Sequence, residues 1–123
     1  MDNKSKKILV ADDESSMHLL LGEELKEQGY EVFYAFNGRE AMGIFKKISI
    51  DLVILDIKMP EMDGLEALRQ MKEYKEDIPV IFFTAYGEYK YDFATWGADE
   101  YLVKSSDLGD LFKCVEYYLN EDK

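Results

Sequence analysis

The chain has 123 residues, a length that suits one domain around one core, and its 47% hydrophobic content favours a folded globule over disorder. Its formal charge of −11 argues against direct nucleic-acid binding, which relies on Lys and Arg neutralising phosphates, and its single cysteine, Cys114, excludes a disulfide framework and a cysteine-based zinc site. No apolar run approaches the roughly 20 residues of a membrane helix, and the run after the basic N-terminus, Ile8 to Ala11, is too short for a secretory signal core, so a cytoplasmic location without membrane attachment is the default expectation.

Strand and helix signals then alternate five times. The first strand is Ile8 to Ala11. A helix follows, with Ser15 or Ser16 as N-cap and Met17, Leu20, Leu21 and Leu25 on one stripe; Gly29 suits the position just past its end. The second strand is Glu31 to Ala35. Asn37-Gly38 opens the second helix, which carries Ala41, Ile44, Phe45 and Ile48 at helical spacing. The third strand is Leu52 to Leu55, and after Met59-Pro60 a third helix begins near Asp63, with Leu65, Leu68 and Met71 inward. The fourth strand is Val80 to Phe83. A short fourth helix is predicted between Tyr89 and Thr95, ending at Gly97. The fifth strand is Glu100 to Val103, and the last helix presents Leu108, Leu111, Phe112, Val115 and Leu119 on one face behind Asp107 as N-cap.

Strands one, three and four are almost wholly apolar, as expected where both faces of a parallel sheet are covered. The reading is an α/β fold: a doubly wound (βα)5 five-stranded parallel sheet in the flavodoxin-like order 2-1-3-4-5, with right-handed crossovers and a short fourth helix. It spans one domain, residues 1–123, with no linker, repeat or low-complexity segment.

Polar residues cluster where these strands end. Asp12-Asp13-Glu14 follows the first strand, Asp56 the third, Thr84 the fourth and Lys104 the fifth. Ligands of open α/β sheets bind beyond the carboxyl ends of the strands at the switch point, here between strands one and three. Asp12, Asp13 and Asp56 would meet there, and like charges held together need a counter-ion. Mg²⁺ prefers a few carboxylates with water and phosphate oxygens, and a carboxylate can itself accept a phosphoryl group. A lysine and the metal would neutralise the transferring charge.

This order resembles the receiver domain of two-component response regulators over the whole chain. The acidic pair matches Asp12 and Asp13. The phosphoacceptor matches Asp56, within Leu55-Asp56-Ile57-Lys58-Met59-Pro60-Glu61-Met62-Asp63-Gly64. The switch hydroxyl matches Thr84, followed by the small residue Ala85, the switch aromatic matches Tyr101, and the lysine matches Lys104. The resemblance implies phosphoryl transfer to Asp56 from a histidine kinase or a histidine phosphotransfer protein. It implies Mg²⁺ held by Asp13, Asp56 and the backbone carbonyl of Lys58, with Asp12 acting mainly through water. Thr84 and Lys104 would then bond the phosphoryl group, and Tyr101 would fill the space Thr84 leaves. The face made by helix four, strand five and helix five would signal to an output protein that the sequence does not name, from a monomer or a phosphorylation-linked dimer.

Three features depart from the family pattern. Lys104 is followed by Ser105 where most receivers have proline after a cis bond, so a trans bond becomes admissible and the pose of Lys104 is left open. The stretch from Thr84 to Gly97 is shorter than usual and rich in aromatic residues: Tyr86, Tyr89, Tyr91, Phe93 and Trp96. Phe93 and Trp96 are read as filling the space of a longer helix, with an aromatic docking patch as the competing reading. Lys58 and Tyr86, each two residues beyond a site residue, occupy positions that tune phosphate lifetime in the family. Their bulk predicts slow self-dephosphorylation. His18 is read as a solvated surface residue and Cys114 as helix packing. An aspartate-nucleophile phosphatase is the alternative function, but Lys58 stands where such enzymes carry a second acid. A flavin carrier would find its phosphate repelled by Asp12-Asp13-Glu14.

Overall fold

A computed structural model describes residues 5–89, 97–105 and 107–120. Its strands are β1 (Lys7–Ala11), β2 (Glu31–Ala35), β3 (Leu52–Leu55), β4 (Val80–Thr84) and β5 (Glu100–Val103), all parallel in the order β2-β1-β3-β4-β5. Its helices are α1 (Ser15–Glu27), α2 (Gly38–Lys47), α3 (Gly64–Tyr74) and α4 (Leu108–Leu119), with a 3₁₀ turn at Gly87–Tyr89. The helix predicted between Tyr89 and Thr95 falls on residues 90–96, outside the described residues, as do Tyr91, Phe93 and Trp96. The last predicted helix is therefore α4 here.

The apolar strands hide a strict alternation. Leu9, Ala11, Val53, Leu55, Val80 and Phe82 face one layer with α2 and α3. Ile8, Val10, Leu52, Ile54, Ile81 and Phe83 face the other, with Leu21 and Leu25 of α1 and Leu111, Val115 and Leu119 of α4. Both faces are covered, so no strand position in β1, β3 or β4 needs a polar residue until the carboxyl edge.

The helix starts are set by side chains as expected at three of four places. Asn37 Oδ1 accepts the Glu40 N–H at 2.8 Å, Asp63 Oδ1 that of Glu66 at 3.0 Å, and Asp107 Oδ1 that of Gly109 at 2.9 Å. Helix α1 differs. Its N-cap is Glu14, without a side-chain cap, and Ser15 and Ser16 lie inside the helix. The turn is organised by the site instead: the Glu14 N–H donates to Asp12 Oδ1, and the Glu14 carboxylate faces Lys104. At its far end the Tyr30 N–H reaches Leu25 O and the Gly29 N–H reaches Lys26 O, with Gly29 at φ 99°, a left-handed cap that glycine accommodates.

The buried stripe of α1 also corrects the sequence reading. Leu20 is exposed, while His18, Leu21, Gly22 and Leu25 are buried. His18 stacks on Tyr34 at 5.2 Å and meets Phe36 at 4.4 Å, and its Nε2 has no hydrogen-bond partner. The imidazole acts as a ring in an aromatic layer, which hydropathy alone does not anticipate.

Two glycines admit close backbone approach. A Cβ on Gly38 would lie 2.1 Å from Met62 O, and one on Gly64 would lie 2.0 Å from Asp56 O. The Asp63-Gly64 pair thus starts α3 directly against the backbone of the predicted phosphoacceptor. Gly64→Ala should lower stability by about 1–3 kcal/mol, since the contact is with main chain that must shift. Urea unfolding of the variant checks this.

Candidate functional site

Three site residues are placed by the same device. Each is the first residue beyond a strand, and its N–H continues the sheet ladder by one bond. The Asp12 N–H donates to Ala35 O of β2 at 3.0 Å, that of Asp56 to Ala11 O of β1 at 2.9 Å, and that of Lys104 to Thr84 O of β4 at 2.7 Å. The backbone at all three is therefore as fixed as the strands themselves.

Their side chains converge. Lys104 Nζ lies 2.8 Å from Asp12 Oδ2, 3.1 Å from Asp56 Oδ2 and 3.4 Å from Glu14 Oε1. The Asp12 and Asp56 side chains are only 3% and 7% exposed, so an unpaired charge there would be severely penalised. Asp56 Oδ1 takes its own neighbour's N–H, Ile57, at 2.7 Å. Burial raises the Asp12 carboxyl above its ordinary value, and the Asp56 charge adds to this; Lys104 and the Glu14 N–H oppose it. Burial works against the Lys104 charge, but the Asp12 hydrogen bond and the Asp56 and Asp12 charges outweigh it and raise its pKa.

Asp12, Asp13 and Asp56 each offer a carboxylate oxygen within 4.8 Å of the others, with Asp13 on the exposed side. All three ligand atoms are hard oxygens and one flank is open to solvent, a donor set that fits Mg²⁺ with its retained waters. Thr84 is fully buried at the end of β4, and its Oγ1 accepts the Tyr86 N–H at 3.3 Å. Tyr101 packs against Phe82 at 5.8 Å and donates its hydroxyl to Tyr86 O. Lys104–Ser105 is trans, as no cis peptide occurs among the described residues.

The structure brings Lys58 and Tyr86 together as well. Lys58 Nζ stands 5.0 Å from the Tyr86 ring centroid and 5.9 Å from that of Tyr89. Sequence reasoning missed Tyr89 as Lys58's second ring, and it missed Glu14 as a third carboxylate on Lys104. Glu14 follows Asp13 directly, which was a usable signal; the pairing of Tyr89 with Lys58 joins two loops and left none.

A family model described as the response regulator receiver domain matches residues 8–116. The chain belongs to that family. It is 40% identical to sporulation initiation phosphotransferase F of Bacillus subtilis, over 94% of each chain. It is also 40% identical to the regulatory protein AtoC of Escherichia coli, of which it spans only 24%. Among solved structures it resembles response regulator protein TrrA of Thermotoga maritima in complex with Mg²⁺-BeF. That match has 46% identity and a TM-score of 0.89, over 93% of this chain and 99% of that one. TrrA in complex with histidine kinase ThkA gives a TM-score of 0.86 over 94% of this receiver and 99% of the matched chain, also at 46% identity.

Removing one carboxylate should relieve the cluster when no metal is present. Asp12→Asn is expected to raise metal-free stability at neutral pH by on the order of 1 kcal/mol, because a buried like charge is lost while Lys104 keeps Asp56. The same variant should bind Mg²⁺ more weakly. Urea unfolding with and without Mg²⁺ measures both.

Proposed function

We propose that this receiver is a phosphoacceptor switch of a two-component or phosphorelay system, with Asp56 as the acceptor. The observation that carries the reading is a nearly sealed Asp56 carboxylate, paired with Lys104 and grouped with Asp12 and Asp13 into one oxygen donor set. In transfer from a phosphohistidine, an Asp56 oxygen attacks phosphorus. The O–P bond forms as the P–N bond breaks, and the imidazole keeps the electron pair and takes up a proton.

Asp13, Asp56 and the Lys58 backbone carbonyl would hold Mg²⁺, with Asp12 acting mainly through water; the ion supplies neutralisation of the phosphoryl oxygens. Lys104 already stands at Asp56 and gives the second positive charge. The Thr84 hydroxyl exchanges the Tyr86 N–H for a phosphoryl oxygen. Tyr101 passes the change to the face formed by β5 and α4, where an output protein would bind. Lys58 and Tyr86, neighbours in the unmodified protein, flank the Asp56 site and would each shield phosphorus from in-line water and prolong the signal. The domain would assist its own phosphorylation and dephosphorylation without turning over another substrate, in the cytoplasm, as a monomer or a phosphorylation-linked dimer. Lys58 in place of a second acid speaks against a phosphatase.

The donor would be a histidine kinase or a histidine phosphotransfer protein, as with the TrrA complex. Leu19, Leu20 and Phe36 are 65%, 48% and 44% exposed; the two leucines lie in the first half of α1 and Phe36 follows β2, both bordering the carboxyl edge. They offer an apolar contact for the donor's helices.

Incubation with Mg²⁺ and acetyl phosphate should add one phosphoryl group by intact mass, and Asp56→Asn should abolish the gain; a gain that survives rejects Asp56 as acceptor. Leu19→Asp with Leu20→Asp should slow transfer from a phosphohistidine protein by about tenfold or more while sparing acetyl phosphate. Lys58→Ala and Tyr86→Ala should each shorten the lifetime of the phosphorylated form, and unchanged lifetimes reject shielding.

A further inference from the structure

The phosphoacceptor reading leaves the placement of the Lys58 ammonium before phosphorylation unused. That ammonium lies over two rings, Tyr86 and Tyr89, which themselves meet edge to face at 6.4 Å. The protein is strongly acidic, yet among the described residues no carboxylate pairs with Lys58. The contact bridges two separate loops, the one after β3 and the one after β4.

Tyr86 is also bonded to two other site residues. Its N–H donates to Thr84 Oγ1, and its carbonyl accepts the Tyr101 hydroxyl. Ring, N–H and carbonyl of one residue are thus engaged by Lys58, Thr84 and Tyr101. Tyr86 itself is 38% exposed and Lys58 lies at the surface, so both have room to move.

We propose that Lys58 is a phosphoryl-responsive lever: it holds the Tyr86–Tyr89 turn through cation–π contact while Asp56 is unmodified, and leaves the rings for the phosphoryl oxygens once Asp56 is charged. The proposal rests on Asp56 being the acceptor. A surface cation over one exposed ring and one half-buried ring is weakly held, whereas a charge-assisted bond to a multiply charged phosphoryl group is stronger. Lys58 is two residues from Asp56 on a long stem, so a new anion there competes directly with the rings. Thr84 turning to the same group takes away the acceptor of the Tyr86 N–H. Both losses fall on Tyr86, and the carbonyl that anchors Tyr101 is freed with them. The charge on Asp56 therefore reaches the β5 face by two routes that meet at one residue.

The test is a double-mutant cycle on the purified full chain, with beryllofluoride and Mg²⁺ as the probe of the phosphorylated state. Lys58→Met should weaken beryllofluoride binding about fivefold, and Tyr86→Leu with Tyr89→Leu should tighten it about threefold, because the ammonium no longer has rings to leave. Adding Lys58→Met to the tyrosine pair should erase the tightening. Hydrogen exchange at residues 87–89 should quicken in wild type on probe binding and be already fast in free Lys58→Met. A tyrosine effect that persists undiminished without Lys58, or equal exchange in free wild type and free Lys58→Met, overturns the lever. If wild type neither binds the probe nor gains phosphoryl mass, the phosphoacceptor reading falls with it. If wild type does both and the cycle is additive, the lever alone falls.

Discussion

The site depends on hydrogen bonds that run one residue past the strands. Parallel ladders normally stop where the apolar sequence stops, and the next residue belongs to a loop. Here Asp12, Asp56 and Lys104 each give their N–H to a neighbouring strand, so three loop residues inherit the rigidity of the sheet. A half-buried lysine between buried carboxylates tolerates little slack, because a displaced partner would leave a charge uncompensated. The ladder fixes the Cα positions, and side-chain length does the rest.

That geometry puts Lys104 in a double role. In the unmodified protein it neutralises Asp12 and Asp56 and takes Glu14 as well. A phosphoryl group on Asp56 would be met by a cation already in place, with little reorganisation. The same pairing accompanies the lack of a side-chain cap on α1: Glu14, at the N-cap position, turns its carboxylate to Lys104. Local helix chemistry gives way to the electrostatics of the site.

Much of this was legible in the residues. Strand ends and most helix faces follow from apolar periodicity, and Asn37, Asp63 and Asp107 cap the helices their positions announce. What periodicity could not show was the use of a polar ring as packing. His18 lies buried between Tyr34 and Phe36, while Leu20, the more hydrophobic residue, is exposed. Facing direction on α1 is decided by the rotation that fits Leu21 and Leu25 into the core, and residue type then follows position. Lys58 was marked by its place after Asp56, but its ring partners come from the loop after β4, which no local pattern links to it.

The sequence by itself determined the order of the described elements, the polar residues at the carboxyl edge and the family to which they belong. Those are properties of spacing, and spacing along a chain survives whatever the chain folds against. The tertiary structure alone decided which charges meet. Lys104 follows Asp56 by 48 positions and Glu14 by 90, yet reaches both. Sheet order brings β1, β3 and β4 side by side, β5 beyond β4 carries Lys104 to the same edge, and hydrogen-bond reach then selects the partners. The Tyr86 contacts to Lys58, Thr84 and Tyr101 arise in the same way, because they require two loops to close over one strand edge.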